Sequence, residues 1–200
     1  MRDLSLHLLD IVENAAKAGA AQVCVTLWCE GDVFWFEVSD NGPGLPAAVA
    51  DDPTDPYRTT RTERPVGLGL ALLRAAAEQT GGSLEVRSRP GQGVTVRASF
   101  PRRHVDAKPL GDLAGALLTA ALGWPIDLVV AVGQPPERIL DMADVRRELA
   151  GVPLSHPDVS GFLRRILEEG LAPLREQAER AFGEVAGGPP QGAAPAPRPP

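Results

Sequence analysis

Apolar residues recur at three- and four-residue steps through Leu4, Leu8, Ile11, Ala15 and Ala18, the buried stripe of a helix over residues 2–18. Gly19 stops it. The period then falls to two. Val23, Val25 and Leu27 alternate with polar positions in 21–29, and residues 33–39 are rich in Val, Phe and Trp. Glu30-Gly31-Asp32 reads as the tight turn joining these strands. Helical spacing returns over 67–80 and closes at Gly81-Gly82. A second hairpin follows, 83–88 and 93–100, around Arg89-Pro90-Gly91-Gln92. Residues 51–65 are long, polar and proline-bearing, a connection rather than an element.

The order helix, hairpin, helix, hairpin predicts an α+β two-layer sandwich, with a mixed, mainly antiparallel sheet carrying helices on one face. That unit is expected over residues 1–103. A small C-terminal α/β region is expected over 104–182. It comprises a helix at 110–122, a buried strand at 126–132 with a partner strand at 137–141, a short helix at 141–150, and a longer helix at 156–182 that Pro173 breaks or kinks. Residues 183–200 hold ten Gly or Pro and almost no large apolar side chain, which predicts a disordered tail.

Composition narrows the picture. A net charge of −6 argues against a general nucleic-acid surface. No apolar run approaches the roughly 20 residues that span a bilayer. Arg2, Asp3 and Asp10 make the N-terminus unlike a secretory signal, so a cytoplasmic protein without membrane insertion is expected. Cys24 and Cys29 fall five apart in a strand, on opposite faces, and are not expected to bridge. His7, His104 and His156 are scattered, which does not suit a structural zinc site.

Four segments carry candidate chemistry. In LLDIVENAAKAGA, Asp10, Asn14 and Lys17 share one helix face beside the apolar stripe. A carboxamide oxygen is a hard ligand suited to Mg²⁺, a lysine one turn on suits a phosphate, and a carboxylate one turn back suits orienting or deprotonating a nucleophile. Alone, such residues usually make a solvated face. Asp40-Asn41-Gly42-Pro43-Gly44-Leu45 ends a strand; its glycines let a flat ligand approach, and Asp40 could accept from an exocyclic amine. A plain turn is the rival reading. Asp55-Pro56-Tyr57-Arg58-Thr59-Thr60-Arg61 precedes Gly67-Leu68-Gly69-Leu70, where glycines open a helix whose free N–H groups and positive end suit phosphate. The basic loop before it suits closing over a triphosphate. Gly91-Gln92-Gly93 is by itself only a hairpin turn.

Taken together, LLDIVENAAKAGA, DNGPGL, DPYRTTR…GLGL and GQGVTVRASF resemble the N, G1, F/G2 and G3 boxes of the GHKL superfamily: gyrase B, heat-shock chaperones, histidine kinases and mismatch-repair ATPases. The resemblance covers about the first 100 residues and implies a Bergerat fold binding ATP and Mg²⁺. It implies that Asn14 coordinates Mg²⁺, Asp40 reads the adenine amine, and Gly42 and Gly44 shape the adenine pocket. It further implies a lid from Asp55 to Val66, including Thr60 and Arg61, with Gly67, Leu68 and Gly69 at the phosphates. GxxxxGK[ST] is absent, so this is not a P-loop. The ATPase branches carry Glu four residues before the Asn and Asp three after it. This chain has Asp10 and Lys17, the latter as in many histidine kinases, and the DPY lid is also kinase-like. Val94 departs from the third glycine box, which often has Thr there.

The resemblance therefore implies a histidine-kinase-like or anti-sigma-like protein kinase or regulator, with Asp10 as its catalytic carboxylate. A phospho-acceptor helix pair has no counterpart in these 200 residues, so the expected acceptor is a partner protein; homodimerisation is left open. MRDLSLHLLDIVENAAKAGA and HVDAKPLGDLAGALLTA also look like small stand-alone bacterial ATP-binding proteins encoded near iron-only hydrogenase subunits, which implies a hydrogenase-related partner complex. The alternative is a non-kinase nucleotide switch or slow ATPase acting through residues 104–182.

Overall fold

Leu4, Leu8, Ile11, Val12 and Ala15 line one side of the first helix and are all buried. The computed structural model describes residues 1–46, 53, 54 and 68–186. Helix α1 spans Leu4–Lys17, and Asp3 caps it by accepting from the backbone N–H of Leu6 at 3.1 Å. Ala18 is its exposed C-cap, so Val12 rather than Ala18 completes the stripe. Strands β1 (Gln22–Glu30) and β2 (Val33–Asp40) form the first hairpin. Helix α2 (Leu68–Glu78) leads to β3 (Leu84–Ser88) and β4 (Val94–Pro101), and then follow α3 (Leu113–Gly123), β5 (Asp127–Val132), β6 (Glu137–Asp141), α4 (Met142–Glu148) and α5 (Pro157–Ala186).

The strands make one mixed sheet in the order β3-β4-β2-β1-β5-β6. Every pairing is antiparallel except β1 with β5. Alternation puts Val23, Val25 and Leu27 of β1, Phe34, Phe36 and Val38 of β2, and Val96, Ala98 and Phe100 of β4 under the helices, where all nine are buried. On the opposite face Trp28 and Trp35 are cross-strand partners, stacked with ring centroids 5.6 Å apart, and the Arg97 guanidinium lies 5.0 and 4.9 Å from the two rings. Aromatic and cation–π contacts thus shield part of this face. The α+β sandwich expected from the pattern is the observed fold.

The sheet and core continue past the expected boundary at 103/104. β5 pairs with β1 from Gln22↔Asp127 to Leu27↔Val132, extending the first sheet. The N–H groups of Leu4 and Ser5 donate to the carbonyls of Pro109 and Leu110 at 3.0 and 2.9 Å, so the segment after β4 satisfies the open end of α1. Leu113 and Leu117 of α3, Leu128 of β5, and Leu163, Leu167 and Leu171 of α5 share one apolar cluster with Leu8 and Val25. Helix α5 passes through Pro173 instead of ending there, and it includes residues 183–186 that were expected in the tail. The rest of the tail, 187–200, lies outside the described residues. No helix among the described residues is long and apolar enough to cross a membrane.

Two expectations follow. Because the core is shared, urea unfolding followed by tryptophan fluorescence and by far-ultraviolet dichroism should give one coincident transition. Leu117→Ala, at 1% exposure, should lower its free energy by about 2–5 kcal/mol. A separate second transition would show residues 104–182 to be an independent unit.

His7 supplies the other. It is 2% exposed, and neither ring nitrogen has a partner among the described residues. Burial, aided by the chain's amino terminus and Lys108 against an opposing effect of Asp3, pushes its pKa down from 6.5 to about 4. The folded state refuses a proton that the unfolded chain accepts, so this site costs nothing above pH 6.5. It removes up to about 3 kcal/mol as pH falls to 4. His7→Leu should flatten the stability profile across that window, and an unchanged slope would refute the assignment.

Candidate functional site

The polar edge of α1 meets the first turn of α2. Asn14 Nδ2 donates to Asp10 Oδ2 at 3.2 Å, one helical turn apart. A Cβ on Gly69 would overlap that Asp10 oxygen and stand 3.4 Å from Asn14 Nδ2. Glycine at 69 is therefore what lets the opening of α2 settle onto these two side chains. The free N–H groups and positive dipole end of α2 are thereby brought beside a carboxylate and a carboxamide. Leu68 is half exposed at the same edge. Arg74 Nη1, one turn on, hydrogen-bonds Thr54 Oγ1, which is buried and ties the chain before the expected lid to α2.

A second group forms at the end of β2. Asp40 Oδ1 accepts from the N–H of Gly42 at 2.8 Å and of Val94 at 3.3 Å. These two donors orient the carboxylate, and Oδ2 meets no donor among the described residues. Gly93 has φ +87°, and a Cβ there would overlap the Asp40 carbonyl oxygen. The turn read only as a hairpin thus forms a wall of the Asp40 site. Val94 contributes through its backbone N–H, a contact that does not depend on the Thr usual at this position.

Four bonds immobilise the loop carrying Gly42 and Gly44. Asn41 Oδ1 accepts from Ala21 and Gln22 N–H at 3.0 and 2.8 Å. Leu45 N–H donates to Ser88 Oγ at 2.8 Å, and Gly91 N–H donates to the Pro43 carbonyl at 2.8 Å. Asn41 and Ser88 escaped sequence reasoning. Asn at a strand end is a common Asx-turn residue and could have flagged itself, but Ser88 becomes a partner only through the register of β3. A Cβ on Gly42 would stand 3.6 Å from Ala20 Cβ, so the loop lies beside the end of α1. A 220 Å³ cleft at the β3–β4 turn, lined by Arg87, Ser88, Arg89, Gln92, Gly93 and Thr95, touches this region at Gly93 but includes none of Asp10, Asn14 or Asp40.

Lys17 does not join Asp10 and Asn14. Its Nζ lies 2.7 Å from Glu13 Oε2 and 5.3 Å from the centroid of Trp124. Thr60, Arg61 and Gly67, with the expected lid from 55 to 66, lie outside the described residues.

A mixed sheet under helices, with a carboxylate walled by glycines at a strand end and a carboxylate–carboxamide pair at a helix start, defines a nucleotide-binding sandwich of the Bergerat type. Residues 2–104 match the histidine kinase-, DNA gyrase B-, and HSP90-like ATPase family, and the chain belongs to that family as a histidine-kinase-like ATP-binding domain. It is 36% identical over 101 residues to the sensor protein KdpD of Escherichia coli, covering 48% of this chain and 11% of that protein. It is 35% identical over 101 residues to the sensor protein CutS of Streptomyces coelicolor, covering 46% of this chain and 24% of that protein. The chain thus spans a quarter or less of these relatives' lengths. Full-length ShkA in complex with AMPPNP aligns with 29% identity over 48% of this chain and 20% of that one, at a TM-score of 0.41.

The two close approaches give a direct test. Gly69→Ala and Gly93→Ala should each weaken ATP binding by about tenfold or more, measured by calorimetry, because each forces backbone or carboxylate out of place. Gly161→Ala, whose Cβ would meet nothing within 4 Å, should leave binding unchanged.

Proposed function

We propose that this protein binds ATP with Mg²⁺ and acts on another protein, either by transferring the γ-phosphoryl group or by regulating it. The observation that carries the reading is the seating of Gly69 against Asp10 and Asn14. It supplies helix N–H groups, a hard oxygen ligand and a carboxylate within one small region. The donor set fits the nucleotide and its metal. In this reading Asp40 accepts the adenine amine, with Gly42, Gly44 and Gly93 lining the base. Asn14 is the Mg²⁺ ligand, and Leu68 and Gly69 of the first turn of α2, with the preceding Gly67, hold phosphate. A bound Mg²⁺ would neutralise charge on the phosphates during transfer.

The remaining roles belong to this chain's own side chains. Lys17, with Thr60 and Arg61 of the lid segment, offsets phosphate charge, and Asp10 orients the partner's hydroxyl or imidazole. Catalysis of this kind is positioning plus electrostatics, with little covalent work for the protein. His7 is closed to phosphorylation by its burial, so it does not serve as acceptor. The relatives' description as sensor proteins favours a signalling role on the kinase side. The likeness of the N-terminal stretch and of residues 104–120 to stand-alone proteins encoded near hydrogenase subunits makes a hydrogenase-related complex the first partner to try.

A second reading, a nucleotide switch that controls a partner through residues 104–182, is favoured by one specific feature: α3 packs along α1, the helix that carries Asp10 and Asn14.

Asn14→Ala should abolish Mg²⁺-dependent ATP affinity while leaving adenosine binding near wild type. Asp10→Asn should retain ATP affinity and lower label transfer from γ-labelled ATP to co-encoded proteins by about 10²-fold or more. Tight ATP binding with no label on any partner would favour the switch over the kinase.

A further inference from the structure

Lys17 is where the residues after 104 reach the polar side of α1. Its ammonium is engaged twice, by Glu13 at 2.7 Å and by the face of Trp124 at 5.3 Å. The two partners differ in origin. Glu13 sits one turn back on α1 itself, whereas Trp124 is the C-cap of α3. Helix α3 packs on α1 and buries Leu113, Leu117 and Ala121, and Trp124 packs on the same cluster. The indole is thus packed on the core, whereas the Lys17 side chain is 44% exposed.

An ammonium carries one charge, so a phosphate competes with the carboxylate and the ring for it. Exposed ion pairs and cation–π contacts are individually weak, so together they bias the lysine without locking it. That is the range in which a neighbouring element can tune an affinity.

We propose that Trp124 is a positioning residue which, with Glu13, holds Lys17 away from the nucleotide phosphates, so that the seating of α3 on α1 sets the affinity for ATP. The proposal rests on the reading of Lys17 as a phosphate ligand. It works in both directions. A partner that moves the end of α3 frees Lys17 and tightens ATP binding. By reciprocity, bound ATP draws Lys17 off Trp124 and alters the α3 surface offered to a partner.

Calorimetric titration of the full chain with ATP–Mg²⁺ and with adenosine tests this. Trp124→Leu keeps apolar bulk and removes the ring, and it should tighten ATP binding about two- to five-fold with adenosine unaffected. Trp124→Phe, which keeps a π face, should stay close to wild type. Glu13→Gln should also tighten ATP binding, and it carries the test if dichroism shows Trp124→Leu to be misfolded. Both gains should vanish in a Lys17→Ala background. Equal effects on ATP and adenosine, gains that persist without Lys17, or weaker ATP binding in Trp124→Leu would each overturn the proposal. Lys17→Ala with unchanged ATP affinity would overturn it as well. Failure of the wild-type chain to bind ATP at all would instead overturn the nucleotide-binding reading beneath it.

Discussion

Helix α1 is committed on two sides, and most of the structure follows from that commitment. Its apolar stripe is buried against the sheet and α3, which leaves the helix one rotational setting. With 3.6 residues per turn, the angle between Leu8–Ile11–Ala15 and Asp10–Asn14 is set by the backbone. Burying the first set aims the second. The carboxylate and carboxamide are held in place by core packing a few ångströms behind them, and α2 then has to approach close enough to use them. Gly69 allows that approach because a side chain there would collide with Asp10.

The Asp40 group has a different origin. It depends on the ladder. Ser39 lies opposite Thr95 in the β2–β4 register, which brings Val94 N–H and the backbone of Gly93 against the end of β2. A shift of one residue would turn Asp40 to the other face and point its partners away. The β3–β4 register, with Ser88 opposite Val94, places Ser88 to receive Leu45, so the loop of Gly42 and Gly44 is fixed by a strand that is not its sequence neighbour.

Residues beyond 104 are part of this arrangement. The carbonyls of Pro109 and Leu110 complete the N-terminus of α1, β5 lengthens the sheet beside β1, and α3 lies on the helix that bears the site. A binding event on α3 is therefore one packed interface from α1, and one on α5 reaches α1 through α3. Packed interfaces transmit small displacements because they are dense and have few intermediate arrangements.

The sequence alone made the elements and much of the site legible. Periodicity located α1, both hairpins and the β5–β6 pair, because each buries one face and so shows its period. The glycine and polar motifs marked Asp10, Asn14, Asp40, Gly42 and Gly69 as candidates because the separate motifs agree in order and spacing, although each alone has commoner uses. What only the tertiary structure decided were the relations between distant segments. Val12 replaced Ala18 in the stripe, because a buried face is defined by what packs on it. β5 joined the sheet of the first unit, because whether a strand joins an existing sheet is not encoded in its own composition. Gly93 became a wall for Asp40 through strand register. Lys17, grouped by helical spacing with Asn14, was drawn instead to Glu13 and Trp124: spacing sets where a side chain starts, and the flexible lysine stem leaves its end to whichever partner the fold brings within reach.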